Sequence, residues 1–113
     1  MNEFPMNPGA IRNRNHALQI RDFTGLKFGT ITPTDIDAVM DFGGKVFVFI
    51  EAKYGDSEIP TGQKLALTRI CDACQKAGVE SILIHGRHDT HGDINFGAMD
   101  VVTYYRKGKW RKP

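Results

Sequence analysis

The chain has 113 residues, of which 41% are hydrophobic and 25% are charged. These proportions are ordinary for a globular protein, and the length predicts one domain, 1–113, with a modest core. No apolar run approaches the length of a membrane helix, and the first residues lack the apolar region of a signal peptide. We therefore expect a cytoplasmic protein without a membrane segment. The net charge of +2 is too small to indicate a nucleic-acid partner by itself.

The first third of the chain contains weak signals for local structure. Residues 1–9 contain two prolines and a glycine, so we predict a flexible start. A helix is predicted from about Ile11 to Phe23, ended by Gly25, because apolar residues recur along one side of it. Leu26–Ile31 is predicted to be a first strand, and Thr32-Pro33 to break the chain after it.

A β-hairpin is predicted around Gly43-Gly44. Its first strand carries Asp35 and Asp37, and its second is an apolar run that ends in Glu51-Ala52-Lys53. Because side chains alternate faces along a strand, Glu51 and Lys53 point the same way.

The length of the turn decides which acid faces Glu51. A two-residue Gly43-Gly44 loop would pair Asp37 with Ile50 and send both acids to the wrong face. A three-residue loop, 43–45, sets Asp37 opposite Glu51, with Asp35 opposite Lys53. The same loop centred one residue earlier sets Asp35 opposite Glu51 instead.

The second half of the chain predicts a helix between two strands. The helix runs from Pro60 to about Ala77, with Gln63 as a polar residue in the first turn of its apolar stripe. Val79–His85 is predicted to be a strand parallel to the second hairpin strand. A polar loop, 86–95, a last strand, Met99–Tyr105, and a basic tail, 106–113, follow.

Two carboxylates facing each other across a sheet repel unless a positive group lies between them, and hard divalent cations prefer oxygen ligands. The order Pro33-Thr34-Asp35-Ile36-Asp37, then Glu51-Ala52-Lys53 at the end of the next strand, resembles the PD-(D/E)XK nuclease superfamily. This superfamily includes restriction endonucleases and Holliday junction resolvases. The resemblance covers roughly Leu26 to Ile84. It implies an α/β fold with a restriction-endonuclease-like core, a mixed sheet of four to five strands flanked by helices.

The resemblance also implies roles for the matching residues. Asp37, Glu51 and the backbone carbonyl of Ala52 would hold Mg²⁺, which Mn²⁺ could replace, with Asp35 as the reserve ligand. Lys53 would orient the attacking water and stabilise the charge that develops on the phosphoryl oxygens.

Further residues either match or depart from the family pattern. Several nuclease subfamilies carry a glutamine on the helix after the Glu-x-Lys strand, and that role would fall to Gln63. Many members also carry a glutamate on the first helix as a further metal ligand. Here only His16, Gln19 and Asp22 are polar candidates, which leaves a second metal site open.

The expected function is metal-dependent cleavage of nucleic-acid phosphodiesters, DNA first, by an endonuclease or a resolvase-like enzyme. A basic C-terminus beside an acidic metal site suits a polyanionic substrate. A chain of this size could act as a homodimer or in a larger nucleic-acid-processing assembly. The basic residues predicted to contact nucleic acid are Arg12, Arg14, Arg21, Arg106, Lys107, Lys109, Arg111 and Lys112.

Two alternatives stay open at this point. The first is a non-catalytic nucleic-acid-binding module of the same fold, which the missing helix glutamate favours. The second is a small zinc-stabilised interaction domain, in which Cys71 and Cys74 would join two histidines from His85, His88 and His91. The position of the cysteines in the second half of a helix instead indicates that they are small core residues.

Overall fold

The computed structural model describes residues 18–113. The chain divides into two units, one ending at Pro33 and the other beginning at Thr34. No helix among the described residues is both long and apolar enough to cross a membrane.

The described part of the first unit, 18–33, differs from both elements predicted there. Leu18–Phe23 is not helical, and the remainder of the predicted helix, like the predicted flexible start, lies outside the described residues. The predicted strand Leu26–Ile31 is wrong, because Phe28 and Ile31 form only an isolated antiparallel bridge. Gly29 has a positive φ of 63°, which turns the chain back on itself after three residues of an otherwise β-prone sequence.

The second unit is a five-stranded mixed sheet with one α-helix. The strands lie in the sheet in the order in which they occur along the chain, β1 to β5. Only β2 and β3 pair in parallel, and the other pairs are antiparallel. The elements are β1 Ala38–Asp41, β2 Val46–Tyr54, α1 Thr61–Lys76, β3 Glu80–His88, a 3₁₀ turn Phe96–Ala98, β4 Asp100–Arg106 and β5 Lys109–Arg111.

The α/β class, the mixed sheet and the parallel β2–β3 pair joined by a helix are therefore confirmed. The flanking helices are fewer than predicted, since α1 is the one α-helix of the described residues. Of the five strands, β5 was not predicted, and the Leu26–Ile31 strand is missing.

The hairpin between β1 and β2 has the three-residue loop. Asp41 pairs with Phe47, and the Phe42 N–H donates to the Val46 carbonyl at 2.9 Å, which leaves 43–45 as the loop. Gly43 and Gly44 both have positive φ, 69° and 75°, a conformation that glycine adopts without steric cost. The hairpin register is thereby set at Ala38 opposite Ile50.

The core lies between α1 and one face of the sheet. Phe49, Leu83 and Tyr105 from the strands meet Leu67 and Cys71 from the helix. The Ser81 hydroxyl donates to the Cys71 carbonyl at 3.0 Å, which satisfies a polar group inside this layer. Phe49 and Leu83 mark the face of β2 and β3 that α1 covers, so residues two positions further along each strand share that face.

The C-terminal segment 106–113, predicted as a basic tail, is a hairpin for most of its length. Lys107 and Gly108 have positive φ, 51° and 78°, as both central residues of a tight I′ turn require. The turn brings Lys109–Arg111 back against β4. Trp110 packs on Tyr105 with ring centroids 5.4 Å apart, and this apolar contact holds the end of the chain on the sheet.

Candidate active site

Asp37 and Glu51 lie side by side where β1 begins and β2 approaches its end. The hairpin register, continued by one residue beyond Ala38, places Asp37 opposite Glu51. The Asp37 N–H donates to Glu51 Oε1 at 3.4 Å, and the Ala52 N–H donates to Asp37 Oδ2 at 2.8 Å. The Asp37 carboxylate thus accepts a hydrogen bond from the β2 backbone just beyond the last residue pair of the β1–β2 ladder. This bond holds the Asp37 carboxylate beside the Glu51 carboxylate.

Glu51 is fully buried, with 0% of its surface exposed. Its Oε1 accepts from the Gln63 amide at 3.0 Å and from the Asp37 N–H. Its Oε2 is a buried atom without a hydrogen-bond partner among the described residues. A buried carboxylate oxygen left unpaired is costly for a folded protein, so this atom marks a position where a cationic or donor group would be stabilising.

The electrostatics of Glu51 follow from this burial. Its pKa is raised from 4.5 to about 7, first because burial penalises the charged form and second because the Asp37 carboxyl lies beside it. The Asp37 N–H and the positive charge of Lys53 act in the opposite direction. Two adjacent acids, one of them dehydrated, form an arrangement that proteins usually tolerate only at functional sites.

Gln63 connects the three segments that meet at this site. Its amide nitrogen donates to Glu51 Oε1 at 3.0 Å and to the backbone carbonyl of Asp35 at 3.0 Å. Its Oε1 accepts from Lys53 Nζ at 3.3 Å. Because Gln63 lies in the first turn of α1, the helix start is tied through one side chain to β2 and to the segment that precedes β1.

Lys53 completes the group. It lies two residues after Glu51 on the same face of β2, and it is half-buried. Its ammonium is held by Gln63 at 3.3 Å, so the positive charge is oriented toward the paired carboxylates. The structure therefore brings together Asp37, Glu51, Lys53 and Gln63, as the sequence predicted, while their chemical roles stay predictions.

The donor set fits a hard cation that keeps several waters. Among residues 18–113 no group of three or more Cys, His, Asp or Glu side chains lies close enough together to hold an ion. Asp37 and Glu51 supply two carboxylates. Since the N–H and C=O of a strand residue point to the same side, the Ala52 carbonyl faces Asp37 too. One or two carboxylates with retained waters is the usual protein environment of Mg²⁺.

The hairpin register decides between the two aspartates. Asp37 lies opposite Glu51, whereas Asp35 is linked to the site through its backbone carbonyl, which accepts from Gln63. Asp37 is therefore the better placed of the two as a ligand, and Asp35 stays the predicted reserve.

The cysteines and histidines of the zinc alternative do not come together. Cys71 is buried in the core, where burial raises the pKa of its thiol. His91 instead lies against Tyr54, whose hydroxyl is 3.0 Å from His91 Nε2. His88 packs on the same tyrosine ring at 5.8 Å. Within the part of the chain that the structure describes, no zinc site of the predicted kind is formed.

Of the eight residues predicted to bind nucleic acid, five lie in the second unit. Arg12 and Arg14 lie outside the described residues, and Arg21 belongs to the first unit. Arg106 is paired with Glu80 at 3.0 Å. Arg106 lies opposite Ile82 of β3, whereas Glu51 lies opposite His85 of the same strand. These two β3 positions are three residues apart, roughly 10 Å along the strand.

The remaining basic residues belong to the same hairpin as Arg106. Lys107 lies in its turn and Lys109 begins β5, and the Arg111 guanidinium donates to the Arg106 carbonyl at 3.3 Å. Lys112 follows β5. The expected basic surface of this segment is therefore centred away from the carboxylates.

His85 and Arg87 are further neighbours of the site: His85 was predicted only as a possible zinc ligand, and Arg87 only as part of the polar loop. The predicted strand ended at His85, and the residues after it were treated as a loop. In the structure β3 continues to His88, and its register pairs His85 with Glu51 and Arg87 with Lys53. The sequence contains a signal for this placement, because every second residue of β3 points to the face that the helix covers. That face carries Ser81, Leu83, His85 and Arg87.

No protein-family model, curated protein or solved structure matches this chain. The support for a function therefore comes from the site itself.

Proposed function

We propose that this protein is a divalent-metal-dependent nuclease with a restriction-endonuclease-like core, hydrolysing phosphodiester bonds in DNA. The observation that carries the proposal is the pairing of the fully buried Glu51 of β2 with Asp37, the residue just before β1, with the Lys53 ammonium on the same face. The order of elements around the site, an acid-bearing hairpin followed by a helix and a parallel strand, also suits that core.

The residues of the site divide the chemical work between holding a cation and handling the substrate. Asp37, Glu51 and the Ala52 carbonyl would hold Mg²⁺. When bound, a divalent cation supplies Lewis acidity at the scissile phosphate and lowers the pKa of a water molecule near it. The dehydrated position of Glu51 strengthens its attraction for a cation, because charges interact more strongly away from bulk water.

Lys53 and Gln63 act on the substrate side. The Lys53 ammonium would donate to a phosphoryl oxygen and hold the attacking water, so that charge developing during the displacement meets a fixed positive group. Gln63 would position both Glu51 and Lys53, since it bonds each of them. Preorganising these groups removes part of the cost of arranging them during the reaction.

The test is a cleavage assay over DNA shapes. The protein is incubated with linear, circular, branched and single-stranded DNA in Mg²⁺, in Mn²⁺ and in EDTA. We expect cleavage that depends on the metal and is abolished in Lys53→Ala. Lys45→Ala is the matched control, because Lys45 is an exposed lysine of the hairpin loop and should keep wild-type activity. Full activity in Lys53→Ala would contradict the role proposed for that residue.

A second candidate is a nucleic-acid-binding module of the same fold that lacks turnover. It is favoured by the small donor set, because fewer than three acidic, histidine or cysteine side chains converge within residues 18–113. Metal-independent DNA binding with no cleavage of any substrate in the panel would support this candidate over the nuclease.

A further inference from the structure

A cleft is lined by residues from the start of α1, the segment before it, and the strands β3, β4 and β5. It consists of two adjoining cavities of about 280 and 250 Å³, which share Glu58, His85 and Val102. We call it the β3 groove and define it by these three residues and by Lys64, Thr103 and Trp110 of the larger cavity.

The β3 groove is next to the paired carboxylates. His85, on its wall, is the β3 partner of Glu51 and points to the same face of the sheet. Adjacent strands are about 4.8 Å apart. On the helix, Gln63 bonds Glu51 and Lys53, while the next residue, Lys64, lines the groove. A polynucleotide bound at Asp37 and Glu51 would therefore reach the groove with an adjacent nucleotide.

An irregularity in the sheet shapes this groove. The β3–β4 register shifts between His85 and Gly86, which leaves Val102 as an extra residue between the partners Thr103 and Val101. Both Val102 and Thr103 consequently line the larger cavity. Bulges are enriched beside functional sites, where they redirect a side chain.

The walls combine a buried polar group with apolar and aromatic surface. His85 is only 6% exposed, and the neighbouring Ile59 is 7% exposed. The Thr103 hydroxyl and the Glu58 carboxylate add a donor and acceptors. Trp110 forms one wall, and the Lys64 ammonium lies 4.7 Å from the centre of its ring.

The charges of the groove are balanced. Lys64 is matched by Glu58, and Arg87 of the smaller cavity is engaged by Asp56 at 3.6 Å and Asp100 at 3.5 Å. A groove of this kind does not select a phosphate group. It suits a neutral, flat group with hydrogen-bonding edges, which is the chemistry of a nucleobase.

The size of the larger cavity limits the occupant to a single base. At about 280 Å³ its volume is just below that of typical small-molecule sites, which begin at about 300 Å³. A base pair would not fit, so the base in it must be unpaired.

We propose that the β3 groove binds one unpaired nucleobase next to the phosphodiester that is cleaved. This inference rests on the proposed nuclease function. It defines the substrate class as DNA that presents an unpaired nucleotide beside the reacting linkage, such as a single strand, a flap or a bulge, rather than uninterrupted duplex.

Trp110 supplies a readout that needs no cleavage, because it is the only tryptophan of the chain. Glu51→Gln protein in EDTA is titrated with a short single-stranded DNA and with an abasic strand of the same length and charge. We expect the base-containing strand to change Trp110 fluorescence saturably, and the abasic strand to leave it unchanged. Equal changes with both strands would overturn the proposal.

Variants that fill the β3 groove provide a second test in the same fluorescence titration. Val102→Phe, combined with Glu51→Gln, should weaken the fluorescence response about tenfold or more by filling the cavity. Val101→Phe is the matched control, because Val101 is equally exposed, 41% against 40%, and lines neither cavity. Should Val102→Phe fail to fold, Thr103→Val removes a hydrogen-bonding wall group with almost no change of shape. An unaltered response in both groove variants would overturn the proposal.

Cleavage separates this inference from the proposed function. With Glu51 intact, Val102→Phe should lose the preference for duplex that carries an unpaired nucleotide, and Val101→Phe should keep it. A base-dependent fluorescence change without cleavage of any DNA would support base binding in the β3 groove and refute the proposed nuclease activity. Metal-dependent cleavage with no base-dependent fluorescence change would refute the groove alone.

Discussion

Replacing Glu51 with glutamine is expected to stabilise the metal-free protein at neutral and alkaline pH. The folded-state pKa of Glu51 is about 7, against an ordinary 4.5, so the folded protein holds this proton more tightly than the unfolded chain does. Below about pH 4.5 the carboxyl is protonated in both states and folding carries no penalty. Stability is lost as the pH rises from there through 7, and the full penalty applies above it.

The size of the effect follows from the same two pKa values. Each pKa unit corresponds to about 1.4 kcal/mol, so ionised Glu51 costs roughly 3 kcal/mol in the folded state. Glutamine keeps an oxygen for the Gln63 amide and removes the charge. The gain for Glu51→Gln at about pH 8 should therefore approach 3 kcal/mol, or a rise in Tm on the order of 10 °C for a domain of this length.

The assay is a set of thermal melts, followed by circular dichroism, in EDTA at about pH 8 and about pH 4. Glu80→Gln is the matched control, because it also neutralises one glutamate. The Arg106 guanidinium lowers the pKa of Glu80, so its charge stabilises the fold above its ordinary pKa and Glu80→Gln should melt lower at pH 8. An equal gain for Glu51→Gln at both pH values, or a lower Tm at pH 8, would refute the reasoning.

Three further outcomes follow from the site. Asp37→Asn should raise the metal-free Tm, but by less than Glu51→Gln does. The reason is that burial raises the pKa of Glu51 more than the Asp37 carboxyl does. In wild-type protein, Mg²⁺ at a hundredfold excess over its Kd would raise the free energy of unfolding by about 2.7 kcal/mol. Asp37→Asn should lose most of this stabilisation. Lys53→Ala should abolish cleavage at nearly unchanged Tm, measured on the same samples. Gln63→Leu should lower the free energy of unfolding by about 1–3 kcal/mol, measured as a lower Tm in melts, because it removes the amide that donates to Glu51 Oε1 and the oxygen that accepts from Lys53 Nζ.

The hairpin shows how far the sequence could be interpreted. Its two strands were evident from alternation and from the apolar run, although β1 begins at Ala38 and both acids that it was predicted to carry precede it. Three registers remained, because two adjacent glycines permit several turns. The structure selects one of them through the positive φ of Gly43 and Gly44 and the bond from the Gly44 N–H to Asp41 Oδ1 at 2.7 Å. Turn geometry of this kind depends on energies too small to be ranked from residue types alone.

The other differences have local physical causes. Leu26–Ile31 has β-prone residues, and one glycine at positive φ is enough to reverse the chain there. The apolar stripe predicted along the helix ran through Leu67, Ile70 and Cys74; Leu67 is buried as predicted, but the second buried residue is Cys71, and Ile70 is exposed. The packing partner of a helix decides the angle of its buried stripe, and the partner was not defined by the sequence.

Metal-dependent cleavage by the wild-type protein and by Glu51→Gln tests the central claim most directly. Branched and single-stranded DNA are incubated with each protein in Mg²⁺, with Glu80→Gln as the charge-matched control. We expect cleavage by the wild type and by Glu80→Gln, none in EDTA, and none by Glu51→Gln. Cleavage by Glu51→Gln at the wild-type rate, or no cleavage of any DNA by the wild type, would contradict that claim.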